Sequence, residues 1–254
     1  MFFTFNINSQ IRFNNFYLQD EDSINSTPWG YSILDVDKDT IKLNALGASG
    51  FPGYIKSYLY NIIDDSTFNI INRLDGTNNR VSYNPIPRSF IHVNDSLYVQ
   101  GCTYVHYTPL LAQDTIKSGL IFYNKNGDTL YSKWFGQSVK FILRGFERIE
   151  NHFYLLGVTK VIGDGTKAHL VKTDLAGNLI WEKTLTAFTS FYCNAISISK
   201  VNNNGYFVQG IMNSHDVGPI HISNIGLYKI DSSGNIIWYK NMFNNANGGF
   251  YNIS

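Results

Sequence analysis

The stretch LVKTDLAGNLIWEK at residues 170–183 is written again, with few changes, as LYKIDSSGNIIWYK at residues 227–240. Both read apolar strand, Asp, two small residues, Gly-Asn, an apolar pair, Trp, and two positions later Lys. An Asp side chain accepts from turn backbone N–H groups, and Gly supplies a positive φ, so each stretch predicts a hairpin. LIFYNKNGDTLYSKW repeats it upstream, with Gly127 in the slot of Gly177 and Gly234 and Tyr131 in the slot of Trp181 and Trp238. YLYNIIDDSTFNI is a weaker copy with Asp65 in the slot. FFTFNINSQIRFNN is another, with Ser9 in the slot, Asn6 in place of Asp231 and Phe13 in place of Trp238.

A second element lies between the hairpins. YSILDVDKDTIKLNALG, SFIHVNDSLYVQG, GFERIENHFYLLG and AISISKVNNNGYFVQG each read strand, polar turn, strand, Gly, and end at Gly47, Gly101, Gly157 and Gly210. Both markers recur about every 54 residues, the signature of a solenoid, propeller or array. Each unit holds four short strands dense in Val, Ile, Leu, Tyr, Phe and Trp with weak alternation, which suits sheets covered on both faces. No segment carries a capped helical stripe. Four strands per unit, repeated radially, predict an all-β propeller of four-stranded antiparallel blades.

The chain is expected to be a single domain, 1–254, of about five blades. Its units are 27–84, 85–140, 141–188 and 189–245, with partial units at 1–26 and 246–254. The first 26 residues read as the last two strands of a blade. GGFYNIS reads as the first strand of the next, with Ile253 aligned to Ile196. Either both termini close the ring, or the chain is a piece of a larger propeller. Closure is the preferred reading, because an open blade edge invites aggregation.

Composition bounds the function. Charged residues are only 15% and the formal net charge is +1, without long runs of one sign. That removes the electrostatic footprint of a nucleic-acid or polybasic membrane binder. No run of 18 apolar residues offers a membrane-spanning helix, and the N-terminus does not read as a signal peptide. Cys102 and Cys193 read as buried free thiols, with a disulfide as the alternative.

The pattern D-x-x-G-N-x-x-W-x-K, followed by strand, turn and a strand ending in Gly, resembles the secreted repeat propellers of Bacteroidota. That resemblance implies an extracellular or cell-surface location. Quinone-enzyme-like propellers carry a similar Asp, Gly and Trp turn, one residue longer between Asp and Gly. The sialidase Asp-box sets them closer. Residues 174–181 and 231–238 fit neither well.

Trp181, Trp238, Tyr131 and Phe13 share one slot of the repeat and read as packing between blades, with sugar stacking as the alternative. Asp35, Asp37 and Asp39 begin like a calcium loop, but Thr40 stands where Gly is needed and Leu46 where Glu is needed, so they read as a turn. Innermost strands line a propeller axis, and their charged or titratable mid-strand residues are His92, Glu147 and Arg148. A glycosidase needs at least two converging carboxyl groups, and a lone Glu147 does not supply them. His92 has no visible catalytic partner. Asn25, Asn94 and Asn252 begin N-x-S/T matches that arise readily in an Asn-rich chain.

The sequence therefore predicts a non-enzymatic binding or scaffold module for a glycan or protein partner, and a monomer. No catalytic, metal or cofactor residue is assigned. The alternative is a propeller enzyme, quinone-dependent or glycan-cleaving, with its site in the axial channel.

Overall fold

The computed structural model describes residues 27–37, 40–48, 55–62, 68–74, 81–106, 115–125, 128–136, 140–161, 165–186, 193–201, 205–217 and 220–241, with side chains in parts of the stretch from Phe90 to Lys240. Among the described residues every regular element is a strand. No helix there is long and apolar enough to cross a membrane.

Blade one is β1 (Thr27–Asp37), β2 (Thr40–Ala48), β3 (Ile55–Ile62) and β4 (Phe68–Leu74). Blade two is β5 (Val81–Asn94), β6 (Leu97–His106), β7 (Thr115–Asn124) and β8 (Thr129–Phe135). Blade three is β9 (Lys140–Ile149), β10 (His152–Val161), β11 (Gly165–Asp174) and β12 (Leu179–Leu185). Blade four is β13 (Cys193–Lys200), β14 (Tyr206–Val217), β15 (Ile220–Ile230) and β16 (Ile236–Asn241).

Each blade is a four-stranded sheet laid down in chain order, antiparallel throughout. The first strands β1, β5, β9 and β13 are successive neighbours, and each later one also packs on the second and third strands of the blade before it. This is a β-propeller, with its first strands innermost. The partial units at 1–26 and 246–254, and with them any fifth blade, lie outside the described residues.

The core sits between blades. Val99, Leu120 and Phe122 of blade two meet Phe141, Leu143, Phe146 and Phe153 of blade three. Tyr154, Leu156 and Leu170 of blade three meet Ile198, Tyr206 and Val208 of blade four. Polar ties cross the first of these interfaces. The Ser118 hydroxyl donates to the Phe141 carbonyl at 2.8 Å, and the Leu143 N–H donates to Thr103 Oγ1 at 2.9 Å. Such buried ties satisfy groups that would otherwise be costly to bury. Cys102 is a free thiol buried in blade two, and burial raises its pKa.

The repeated outer hairpin has one geometry. Asp174 Oδ1 accepts from the N–H groups of Ala176 and Asn178 at 2.9 and 2.8 Å, and Oδ2 accepts from the Asn178 amide at 2.8 Å. Asp231 does the same with Ser233 and Asn235 at 2.9, 2.8 and 3.1 Å. Blade two runs the pair in reverse. The Asn124 amide donates to Asp128 Oδ2 at 2.8 Å, and the Asp128 N–H donates to Asn124 Oδ1 at 2.9 Å.

One residue after each of these turns is a β-bulge, which leaves Leu130, Ile180 and Ile237 without a partner across the hairpin. A bulged residue is re-aimed out of the ladder, and these three are among the most exposed apolar side chains described. In blade one the same bulge falls at Ile71, further along the strand, because Ile62↔Phe68, Asn61↔Asn69 and Tyr60↔Ile70 pair before it. Three pairs precede the bulge there, against one in each of the other three blades. Asp65 lies outside the described residues.

The glycine marker is explained on the inner side. Gly47, Gly157 and Gly210 each pair with the residue that precedes a bulge in the innermost strand. A Cβ on Gly157 would run into the Ile142 carbonyl oxygen, so the bulge demands glycine opposite it.

Candidate functional site

The innermost strands carry the groups that face the axis of the ring, and here the blades stop resembling one another. The bulged residue is Trp29 in β1, Arg144 in β9 and Ile196 in β13. Opposite Gly101, β5 fits residues 86–89 into the same place. Arg144 is exposed and Ile196 partly so. Bulges of this kind re-aim side chains beside functional sites.

Glu147 and Arg148 diverge, as adjacent strand residues must. Arg148 turns to blade two, where Nη1 donates to the carbonyls of His92 at 3.4 Å and Val93 at 3.1 Å. Its Nε donates to the Glu150 carbonyl at 3.2 Å, so Arg148 ties two inner strands together. His92 stacks on Tyr98 with ring centroids 4.8 Å apart. Glu147 stays exposed, paired in register with Tyr154. Among the described side chains it is the only carboxylate within an innermost strand. Asp35 and Asp37 are strand residues of β1, in register with Lys42 and Thr40, rather than turn residues. Asp39 lies outside the described residues. Among those described, no cluster of three metal-ligating side chains occurs.

Two polar clusters escaped the sequence reading. His169 is 2% exposed, with Nδ1 at 2.9 Å from Thr184 Oγ1 and Nε2 at 2.8 Å from Glu182 Oε1. Its ring meets Phe141 of β9 edge-on at 4.6 Å, so this Thr–His–Glu row ties β11 to β12 within blade three and has the role of a structural clamp. The signal was there in β12, where residues 182 and 184 share a face, but only the register to β11 places His169 between them.

Lys172 is buried between blades three and four. Its ammonium donates to the Tyr206 hydroxyl at 3.3 Å and lies 5.6 and 5.5 Å from the ring centres of Tyr154 and Tyr206. Burial, and then the Lys172 charge, hold the neighbouring His152 below the usual histidine range. Lys200 pairs with Glu150 at 2.6 Å and holds that carboxyl below its usual range.

Of the described members of the aromatic slot, Trp181 joins two blades, and the rings are less enclosed than a core position. Trp181 is half-buried and its Nε1 donates to the Ser232 carbonyl of blade four at 3.1 Å. Tyr131 stacks on Phe122 at 4.4 Å and Trp238 leans on Phe207 at 5.7 Å, and each is 39% exposed. Phe13 lies outside the described residues.

No protein-family model matches the sequence. No curated protein matches it either. Solved structures do. The chain is similar to the GH93 α-L-arabinofuranosidase of Fusarium graminearum in complex with arabinobiose, at 11% identity and a TM-score of 0.52, over 86% of this chain and 66% of that one. It is similar to a GH32 β-fructofuranosidase of Bombyx mori in complex with sucrose, at 8% identity and a TM-score of 0.51, over 84% of this chain and 49% of that one. The chain thus spans about two thirds of the first and about half of the second. At these identities the likeness is one of fold. It corrects the expectation of a non-enzymatic binding or scaffold module, since the propellers it is similar to are glycosidases.

Proposed function

We propose that the chain is the propeller of a glycosidase acting on furanose-containing glycans, with its site on the innermost strands. The observation that carries this reading is the fold likeness to the arabinofuranosidase, at a TM-score of 0.52 over 86% of the chain. The names of the two similar enzymes share a five-membered sugar ring. An exported, cell-surface location accords with such a substrate and with the resemblance to secreted propellers.

Glycoside cleavage uses two carboxyl groups, one on each side of the scissile bond. Glu147 supplies one on β9. Counted from the turn, Asp35 on β1 stands two residues before Asp37, which pairs with Thr40 to close its hairpin, as Glu147 stands two before Ile149, which pairs with His152. Asp35 and Glu147 are therefore the proposed pair. One gives its proton to the leaving oxygen, and the other attacks the anomeric carbon or activates a water. Trp29 and Arg144, in the bulge slot, are the proposed sugar contacts, an aromatic face for the ring and a fork of donors for its hydroxyls.

The test is release of p-nitrophenol from the α-L-arabinofuranoside, and of reducing sugar from arabinan and sucrose. The wild-type chain releases product from at least one. Glu147→Gln and Asp35→Asn each lower kcat by about 100-fold or more. A wild-type chain inert on all three substrates, or two variants at wild-type rate, contradicts the proposal.

A further inference from the structure

The interface between blades three and four is apolar, and one charge is set into it. Tyr154, Leu156, Leu170, Ile198, Tyr206 and Val208 belong to its core. Lys172 of β11 is 8% exposed, and its ammonium reaches across to Tyr206 of blade four. An ammonium carries three N–H donors. One of them meets the Tyr206 hydroxyl at 3.3 Å. The nitrogen otherwise lies 5.6 and 5.5 Å from the ring centres of Tyr154 and Tyr206.

A buried charge is costly unless an opposite charge answers it. The described carboxylates of these two blades are held elsewhere. Glu182 is bound to His169 and Glu150 to Lys200. Asp174 and Asp231 accept from the backbone of their own turns. Glu147 is exposed on the innermost strand. Among the described residues Lys172 therefore has no carboxylate partner. A second donor stands beside it. The Tyr154 hydroxyl is enclosed and has no hydrogen-bond partner among the described residues, and its ring centre lies 5.1 Å from that of Tyr206. The ammonium and the two phenols bring N–H and O–H donors together without a negative charge to accept from them.

We propose that Lys172, Tyr154 and Tyr206 bind a small monovalent anion, chloride, between blades three and four. A single negative charge balances the single ammonium. A halide accepts from N–H and O–H donors at once and demands no fixed direction. Sulfate or phosphate brings further charge and more oxygens than these donors satisfy, and Leu156, Leu170 and Ile198 of the same core offer no others. Lys172 and Tyr154 belong to blade three and Tyr206 to blade four, so the bound ion joins the two blades. Its binding then adds to the stability of the folded chain.

The experiment follows the Tm of the full chain while sodium chloride replaces sodium gluconate at constant ionic strength. The wild-type chain is expected to gain about 4 °C or more, with a dependence on chloride that saturates. Lys172→Met keeps most of the side-chain length and removes the charge, and is expected to lose the gain. Tyr154→Phe removes one hydroxyl and is expected to raise the chloride midpoint about tenfold. That variant also decides the matter if Lys172→Met does not fold. Equal wild-type Tm in the two salts, a gain that survives in Lys172→Met, or an unmoved midpoint in Tyr154→Phe each overturn the proposal.

Discussion

The outer hairpins and the innermost strands of the same blades follow opposite rules. Asp174 and Asp231 hold their turns through the same three acceptor contacts, and blade two reaches the same shape with Asn124 and Asp128 exchanged. The innermost strands share a bulge and a facing glycine, yet fill the bulge with Trp29, Arg144 or Ile196 and carry Glu147 in one blade and Ser197 or Ser199 in another. A residue that builds a blade is needed in every blade. A residue that serves the axis is needed once. Function in a repeat protein is therefore sought where the repeat breaks.

Substitutions can break or sharpen that contrast. The largest effect on stability is expected at the inner glycine, where Gly157→Ala drives a Cβ into the Ile142 carbonyl of the same blade. Urea unfolding should show a loss of about 3 kcal/mol, as overpacking against backbone costs. A loss near zero would show that the bulge does not depend on glycine. Trp181→Ala follows, at about 2 kcal/mol, less than a fully buried Trp because the ring is half-buried.

The turn aspartates come next. Asp174→Ala and Asp231→Ala each remove two backbone acceptor contacts. Each should lower Tm by about 2–4 °C. Unequal losses would mean that the two turns are copies in shape only. Burial works against the charge on Asp174, but the Asn178 and Ala176 donors outweigh it and leave its pKa lowered. The Asn235 N–H leads in lowering that of Asp231. A carboxyl with a depressed folded pKa contributes stability that is fully present above its unfolded value and lost as pH falls through the folded one. Thermal melts should therefore show this contribution intact above about pH 4 and fading below it, and the alanine variants should lack that step.

The smallest effect is the most diagnostic of turn chemistry. Asp128→Asn leaves two amides facing each other in blade two, and should cost about 1 kcal/mol. Adding Asn124→Asp rebuilds the arrangement of blades three and four and should recover most of it, a double-mutant cycle with clear coupling. Additive losses would show that the Asn124–Asp128 pair contributes nothing as a pair.

The fold was legible because its signals are local. Asp, Gly and Asn at fixed offsets dictate a hairpin without reference to anything distant, and the glycine within the second strand marks the inner bulge. Blade one shows the limit. Its sequence lacks the glycine between the third and fourth strands, and its bulge falls at Ile71, further from the turn than in the other blades. The His169 clamp and the Lys172–Tyr206 contact were not legible, because each depends on register or on the docking of one blade against another. The proposed axial pair was legible in part. Glu147 stood out as a charged residue within a strand, but Asp35 resembled a turn aspartate until its pairing with Lys42 placed it within β1.

The central claim is that inner breaks in the repeat carry function while outer copies carry the fold. It is tested most directly by measuring Tm and furanoside hydrolysis together for Glu147→Gln and Asp231→Ala. The account predicts that Glu147→Gln keeps its Tm within about 2 °C and loses hydrolysis about 100-fold or more, while Asp231→Ala loses Tm and keeps its rate. The reverse assignment, with Glu147→Gln unfolding the ring or Asp231→Ala abolishing hydrolysis in a folded protein, would contradict it.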